Sequence, residues 1–460
     1  MEVTEGQALN QGQAGKLYPY LIAFVAAVGG FLFGFDLNII GSGMIFIEDQ
    51  FNLDETQLGF ATSSAMLGCI TGPFLGVWLG DRLGRKNCLF FAALLFAISA
   101  IGSALPRTIF EFNIYRIIGG LGIGFSSVVA PMYIAEIAPA VKRGRLVLMY
   151  QLAITLGAMI GVVLAYILAE TLAANIGWRW MFGSEVIPVV LFVLFLSMAP
   201  PSPRWLAETN RHEEALAVLT KINGRQKAKE ELEQIKTSIT EETGTFAEVF
   251  APGYRSALLV AVGLAFFANL TGWSCVAYYL PILFQKAGFP DPAEAIGKSV
   301  ILMTCNTLLT FIAIALIDRA GRKKLWIFGS SMMIFSTIFM GYVFQAGITG
   351  NLVVLAVLLV LIPHAVALGP LPWLMISELF PTRIRARAVG IATVCVWIGG
   401  YIGTQLFPML NSFFESKNLP GGTYWIFTIL CVLSLIFGIK LLPETKNRTL
   451  EEIARSWKKR

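Results

Sequence analysis

Long apolar runs constrain the fold of this chain more than any other feature of its sequence. Runs of about 20 apolar residues, the length that crosses a hydrocarbon core of roughly 30 Å, recur twelve times along the 460 residues. In lipid a backbone must satisfy its own hydrogen bonds, so such segments fold as helices. The predicted spans lie near residues 18–43, 57–79, 88–105, 111–138, 146–168, 179–199, 255–286, 296–317, 324–347, 351–378, 386–413 and 422–442.

Composition and charge agree with a membrane protein. The chain is 56% hydrophobic and only 14% charged, too little polar surface for a soluble globule. Lys and Arg concentrate in alternate loops, so the net charge of +6 reflects topology and does not indicate nucleic-acid binding. The positive-inside rule predicts a multi-pass protein of the inner or plasma membrane with both termini cytoplasmic. The first span is too long for a removable signal peptide.

The chain is internally duplicated. Asp81-Arg-Leu-Gly-Arg-Lys86 recurs as Asp318-Arg-Ala-Gly-Arg-Lys323. A second pair of segments keeps its spacing residue for residue, with Glu136, Pro139, Arg143 and Arg145 matching Glu378, Pro381, Arg385 and Arg387. Two halves of apolar segments joined by basic loops are typical of membrane transporters with a ligand site between the halves.

Changes in composition divide the chain into five parts. Residues 1–17 are polar and rich in Gly and Gln, which predicts a disordered cytoplasmic tail. Residues 18–199 and 255–442 are the two six-span halves. Residues 200–254 form a charged cytoplasmic linker with short amphipathic helices, one of them over Glu213–Ile222. Residues 443–460 are a second cytoplasmic tail.

Several classes of site are not indicated. All six cysteines fall in or beside apolar spans without the spacing of a disulfide framework or zinc site. The glycines of 119–124 follow no strand, so they indicate close helix packing and not nucleotide binding. We therefore expect no cofactor, no metal, no catalytic residues and no enzymatic activity.

Further strings complete a family pattern that covers nearly the whole chain. They are Tyr115-Arg-Ile-Ile-Gly-Gly120, Pro131-Met-Tyr-Ile-Ala-Glu-Ile-Ala-Pro139, Pro203-Arg-Trp-Leu206, Gly369-Pro-Leu-Pro-Trp373 and Pro443-Glu-Thr-Lys446. With the repeated basic motif, they resemble the sugar porter family of the major facilitator superfamily. The resemblance implies an all-α membrane protein of twelve helices in two pseudo-symmetric six-helix bundles. Such bundles rock about a central sugar site, a mechanism called alternating access.

Two ionisable residues inside the spans are candidates for proton coupling. A charge in the membrane is costly and is seldom kept without a task. Asp36 in span 1 and Arg116 in span 4 resemble the Asp and Arg of bacterial proton symporters, whereas facilitative carriers generally have a neutral residue in place of the Asp. Burial and a nearby guanidinium act in opposite directions on the proton affinity of an acid, so distance to Arg116 can set protonation of Asp36. A static ion pair between the spans is the alternative.

The resemblance also implies sugar-binding residues, with departures. Gln151, Asn306, Trp373 and Trp397 match family positions, and Thr155 lies one turn beyond Gln151. In span 7 the family's amide-rich segment reads Ala268-Asn269-Leu-Thr-Gly-Trp-Ser274 here, which leaves Asn269 and Ser274 as candidates. Tyr278 and Tyr279 match the family's gate pair. Helix–helix hydrogen bonding or packing is the alternative role for the amides and tryptophans.

Lost amides change the expected substrate. A second family glutamine is Ala158 here, and polar positions beside Trp397 are Val396 and Gly400. A smaller, deoxy or less polar sugar would fit the remaining groups. His364 in span 10 is interpreted as a packing residue outside the proton path.

The matched charges of the two halves are interpreted as a cytoplasmic lock between them. Topology alone explains the basic residues but not the matched glutamates. In relatives, Glu185 and Glu444 also belong to such clusters. The proposed lock comprises Asp81, Arg85, Glu136, Arg143, Arg145, Asp318, Arg322, Glu378, Arg385 and Arg387.

Three functions remain open from the sequence. Proton-coupled sugar symport is favoured by Asp36 with Arg116. A facilitative sugar or polyol carrier, or a non-transporting sugar sensor, would account for the lost amides. The expected partners are a sugar, a proton and the lipid bilayer, with the protein acting as a monomer and binding no nucleic acid.

Overall fold

A computed structural model describes residues 2–138, 143–241, 246–446, 448, 452–453 and 457, with side chains from residue 22 onward apart from scattered positions. Every regular element in these ranges is a helix. The first half contains α1 (Glu2–Phe51), α2 (Glu55–Leu83), α3 (Arg85–Ala104), α4 (Ile109–Ile137), α5 (Arg143–Thr171), α6 (Ala174–Gly183) and α7 (Val186–Met198).

Four short helices form the linker and nine helices, with one π-helical turn, form the second half. The linker contains α8 (Pro203–Glu208), α9 (His212–Asn223), α10 (Arg225–Glu241) and α11 (Phe246–Val249). The second half contains α12 (Arg255–Leu270), α13 (Trp273–Tyr278), α14 (Leu280–Lys286), α15 (Pro292–Ala320), α16 (Arg322–Gln345), α17 (Asn351–Pro363), a π-helix (His364–Leu368), α18 (Pro370–Glu378), α19 (Thr382–Ser416) and α20 (Gly422–Lys440).

Eleven helical segments of the described chain are long and apolar enough to cross a membrane. The twelfth span, predicted near 255–286, is divided into α12, α13 and α14. Gly272 has a φ of +112°, which a residue with a side chain rarely adopts, and Pro281 lacks the N–H that a continuous helix needs. Span 7 is therefore broken at the depth where α13 faces the interior.

The structure differs from the sequence prediction in the amino-terminal segment and agrees with it in the linker. The backbone is helical from Glu2, where a disordered tail was predicted over 1–17. Gln, Glu, Ala and Leu in this segment have high helix propensity, so they can extend a helix that the following span nucleates. The predicted linker helix is present as α9, with Leu219 and Ile222 buried.

The repeated motif has the same backbone role in both halves. Gly84 and Gly321, the glycines of the two copies, have φ of +86° and +88° and join α2 to α3 and α15 to α16. Only glycine adopts this region without strain. The motif therefore makes two equivalent tight corners on one face of the molecule, which we name the basic face.

The two halves meet at a seam on the opposite face. The side chain of Gln405 in α19 donates to the Thr56 carbonyl in α2 at 3.1 Å and accepts from Ser63 Oγ at 3.2 Å. Ser412 Oγ donates to Glu55 at 3.0 Å. A Cβ on Gly59 would lie 2.5 Å from the Gln405 carbonyl, so only glycine permits this approach. The seam closes the opposite face.

Replacement of Gly59 by leucine should prevent closure of this seam, because the side chain would collide with α19 backbone. We expect a longer mean distance between spin labels at positions 49 and 417, measured by pulsed electron resonance with the six native cysteines replaced. Gly390→Leu is the matched control, since a Cβ there meets nothing within 4 Å. Equal distances in both variants would contradict the role of Gly59.

Candidate functional site

A small cavity lies between the halves. Its volume is about 190 Å³, below the roughly 300–1,000 Å³ of pockets for drug-sized ligands, so it suits a small solute. Both halves supply its wall. The lining residues are Phe33, Gly34, Leu37, Asn38, Gln151, Ile154, Thr155, Ala158, Trp273, Ser274, Ala277, Tyr278, Met303, Asn306, Thr310, His364, Ala365, Gly369, Pro370 and Trp373.

Most of the predicted sugar-binding residues line this cavity. Gln151 and Thr155 reach it from α5, Ser274 from α13, Asn306 from α15 and Trp373 from α18. Within the described chain, the amides of Gln151 and Asn306 make no hydrogen bond to another side chain or backbone group, so they are available to a ligand. This arrangement suits a solute that carries several hydroxyl groups.

Two predicted binding residues lie outside the cavity. Asn269 Nδ2 donates to the Val396 carbonyl at 2.9 Å and so ties α12 to α19. Trp397 is only 5% exposed and packs on Phe33 of the other half, with ring centroids 5.5 Å apart. These contacts are those of the helix-packing alternative.

Of the two predicted gate tyrosines, one lines the cavity and the other does not. Tyr278 lines the cavity, and its carbonyl lies 2.7 Å from where a Cβ on Gly41 would stand, which brings α1 of one half against α13 of the other. Tyr279 points away and donates to the Thr404 carbonyl at 2.9 Å. Only Tyr278 is thus positioned to contact a bound solute.

Besides Phe33, four polar or aromatic residues of the cavity were not predicted to line it. Asn38 and Thr310 share helix faces with Gly34 and Asn306, so helical periodicity from known lining positions could have found them. Trp273 and His364 could not be found in this way, because irregular backbone places both. Trp273 follows the break in span 7, and His364 begins the π-helix of span 10.

A buried charge cluster lies next to the cavity, behind α1. Arg116 Nη1 donates to Asp36 Oδ1, and Arg116 Nη2 donates to the Asp36 carbonyl at 3.2 Å. Both residues are almost completely buried, at 0% and 1% exposure. Arg116 also lies over the ring of Phe182 at 5.6 Å. The predicted partners are therefore in contact.

Glu185 is a third member of this cluster that the sequence did not reveal. It lies between α6 and α7, is fully buried, and its carboxyl approaches that of Asp36. Among the described residues, none donates a hydrogen bond to Asp36 Oδ2 or to either carboxyl oxygen of Glu185. Two carboxyl groups therefore lie beside a single guanidinium in this cluster. Its position excludes Glu185 from the lock at the basic face.

The lock residues of the first half form a cluster on the basic face. Arg85 Nε donates to Glu136 Oε1 at 2.9 Å, and Arg85 Nη1 lies 3.1 Å from Asp81. The linker completes the cluster, because Ser202 Oγ donates to Glu136 and Glu208 lies 3.6 Å from Arg85. These contacts join the α2–α3 corner, the end of α4 and the start of α8.

The second half repeats this cluster. Arg322 Nη2 donates to Glu378 Oε1 at 3.1 Å, and Thr445 Oγ1 donates to Glu378 Oε2 at 2.5 Å. Glu444 accepts from the backbone N–H groups of Arg322 and Lys323 at 3.0 and 3.2 Å. Ser202 and Thr445 are thus equivalent, each following the last span of its half.

The remaining lock residues are placed less completely. The side chains of Arg143, Arg145 and Asp318 lie outside the described residues. Arg385 Nε donates to the Phe380 carbonyl at 3.4 Å. Arg387 of the second half lies close enough to Asp81 of the first half to interact with its charge, which is an electrostatic contact across the basic face.

The sequence and fold were compared with those of known proteins. The profile of the family described as "Sugar (and other) transporter" matches residues 22–457. The chain belongs to this family. It is 40% identical to the arabinose-proton symporter of Bacillus subtilis over 95% of this chain and 94% of that protein. It is 36% identical to the D-xylose-proton symporter of Escherichia coli, with 97% of both chains covered.

Solved structures agree with this sugar transporter in fold. The inward-open conformation of the xylose transporter XylE from E. coli superimposes with a TM-score of 0.84, at 34% identity over 96% of this chain and 100% of that one. XylE bound to 6-bromo-6-deoxy-D-glucose, described as a proton:xylose symporter of the major facilitator superfamily, gives 0.82 at 35% identity, with 96% and 99% covered. The predicted all-α major facilitator fold is confirmed.

Loss of Arg116 should destabilise this family member, because it leaves buried acids without a cation. Breaking a buried ion pair by removing one partner costs about 3–5 kcal/mol. We expect Arg116→Met to lower the melting temperature in detergent, followed by tryptophan fluorescence, and Asp36→Asn in the same chain to restore part of it. Arg107→Met, at an exposed position, is the control. A single variant as stable as the parent would argue against the paired cluster.

Proposed function

We propose that this protein is a secondary active transporter that carries a sugar and a proton together by alternating access. One observation supports the coupling most directly: α1 has two functional faces within five residues. Gly34, Leu37 and Asn38 line the cavity, while Asp36 contacts Arg116 on the other side of the helix. A movement of α1 that accommodates a solute therefore changes the distance between the acid and its cation.

In this proposal, protonation releases Asp36 from Arg116. Unprotonated Asp36 holds α1 against α4 through the ion pair, and Glu185 competes for the same proton. A neutral Asp36 loses its attraction to the guanidinium, so α1 can shift and close around the sugar. One proton that crosses a potential of ~100 mV supplies about 2.3 kcal/mol, enough for roughly 50-fold accumulation. A static pair would make sugar affinity independent of protonation.

The cavity supports a monosaccharide as the solute. Its volume of about 190 Å³ leaves little room for a larger saccharide. The relatives named above carry arabinose and xylose by their descriptions, and another, 33% identical with 98% of this chain and 96% of that protein covered, is named a galactose-proton symporter. We propose a pentose or a less polar hexose derivative, because Ala158 lines the cavity where the family pattern has an amide.

We assign the basic face to the cytoplasm, following the positive-inside rule. Both termini are then cytoplasmic, and the closed seam corresponds to an inward-facing state of a monomer in the inner or plasma membrane. The sugar leaves chemically unchanged, so no enzymatic step is involved. Arg387 with Asp81, and the two clusters around Arg85 and Arg322, serve as the lock when the cytoplasmic face closes.

A facilitative sugar or polyol carrier is the second candidate. The absent amides at Ala158 and Val396 favour it, since fewer hydroxyls can be paired. The buried acids oppose it, because an uncoupled carrier gains nothing from two carboxyl groups away from water.

Asp36→Asn should abolish uphill uptake of radiolabelled sugar driven by a pH gradient in liposomes, yet leave counterflow exchange intact. The amide keeps the size of the side chain but cannot exchange a proton at physiological pH. Asp49→Asn is the matched control, an exposed acid at the end of the same helix. Unimpaired accumulation by Asp36→Asn would defeat the coupling proposal and leave facilitated transport.

Charge reversal tests the lock. Arg387→Glu places like charges beside Asp81 and should slow exchange by opposing closure of the basic face. Addition of Asp81→Lys should restore part of the rate. Arg82→Glu makes the same change in charge on the same face, at a residue that stacks on Trp78 of its own helix, and should have less effect. If the double variant is no faster than Arg387→Glu, the contact does not lock the halves.

A further inference from the structure

The imidazole of His364 is part of the wall of the central cavity. His364 lines the central cavity as the first residue of the π-helix, and its ring lies 6.1 Å from that of Trp273 at 38°. Its Nδ1 atom is buried and has no hydrogen-bond partner among the described residues. A buried polar atom without a partner is costly and rare, so this nitrogen calls for a partner that the described residues do not supply.

The local backbone holds this ring in place. The Gly369 N–H donates to the His364 carbonyl at 2.8 Å, which closes the π turn. A Cβ on Gly369 would lie 2.9 Å from His364 Nε2, so glycine at 369 makes room for the imidazole. Trp273 supports the other side of the ring. The ring is therefore fixed before any ligand binds.

The chemistry of the ring suits a hydroxyl group. A neutral imidazole has one donor and one acceptor nitrogen, and a hydroxyl can pair with either. The cavity contains Ala158 and Ser274 where the family pattern has amides, so polar contacts on this wall are few. No Lys, Arg, Asp or Glu is among the lining residues that the structure describes, which favours a neutral ligand.

From these contacts we infer that His364 hydrogen-bonds one hydroxyl of the transported sugar and sets specificity at that position. This inference rests on the proposed function and replaces the packing role expected from the sequence. It assigns sugar recognition to the irregular turn of span 10 as well as to the amides of α5 and α15. His364 takes no part in proton transfer.

The test pairs variants with sugars that each lack one hydroxyl. Counterflow in liposomes without a pH gradient measures the apparent affinity for a sugar and its monodeoxy derivatives. In the parent, we expect loss of one particular hydroxyl to weaken binding about 10-fold or more. His364→Phe keeps an aromatic ring beside Trp273. In this variant, the ratio of affinities for the sugar with and without that one hydroxyl should fall to about 1, and the ratios for the other hydroxyls should not change. His364→Gln, which retains a donor and an acceptor, should restore part of it.

A second measurement does not depend on transport. The chain has only two histidines, so ¹⁵N-histidine labelling gives a simple spectrum of two rings. His212 lies in α9 of the linker, and His212→Gln assigns its signals and serves as the matched control. Addition of the transported sugar should shift the His364 nitrogens and leave those of His212 unchanged.

The outcomes separate the two proposals. If His364→Phe discriminates among the deoxy sugars as the parent does, or if sugar leaves the His364 signals unchanged, His364 is a packing residue and the inference is wrong. A parent that exchanges none of the sugars contradicts the proposed function itself, and the inference falls with it. A parent that exchanges sugar while His364→Phe keeps full discrimination contradicts the inference alone.

Discussion

The structure depends on the cost of keeping charge away from water inside the first half. Asp36, Glu185 and Arg116 meet where almost no surface is exposed. Small residues make this burial possible, because a Cβ on Gly119 would lie 3.6 Å from Asp36 Oδ2 and 2.3 Å from Ser99 Oγ. Close packing of α4 on its neighbours therefore keeps solvent away from these three side chains.

Helix α1 contributes residues both to the buried charge cluster and to the cavity, but the two sites are separate. Asp36 is absent from the cavity lining, while Gly34 and Asn38 are part of it. In the proposed mechanism, a solute acts on the acid through displacement of α1, without touching it. Such a mechanism requires that α1 be free to shift by small distances. The glycine contacts of α1 with α5, at Gly30 and Gly34, allow backbones to slide without interlocked side chains.

The sequence was sufficient for the fold and for part of the site. Apolar run length predicted the spans, since the thickness of the bilayer is a constraint on each segment by itself. Asp36 and Arg116 were predicted because an ionisable group in an apolar run stands out. Glu185 is also an ionisable residue in an apolar run, but the resemblance to the family assigned it to the charge clusters of the basic face.

Tertiary packing decided what the sequence could not. Asn269 and Trp397 have the residue types of a sugar site, yet the break at Gly272 turns α12 away, so Asn269 bonds to the Val396 carbonyl. Trp273 and His364 enter the cavity for the same reason, since non-helical geometry alters which residues share a face. A regular 3.6-residue period cannot anticipate a π turn.

The equivalence of Ser202 and Thr445 bears on how such a chain arose. Each hydroxyl follows the last helix of its half and donates to the glutamate at the end of that half's fourth span. The duplicated gene segment therefore extended past six spans and included the residues that tie its own exit to its own corner. Each half thus completes this charge network with its own residues, from the linker in the first half and from the segment after α20 in the second.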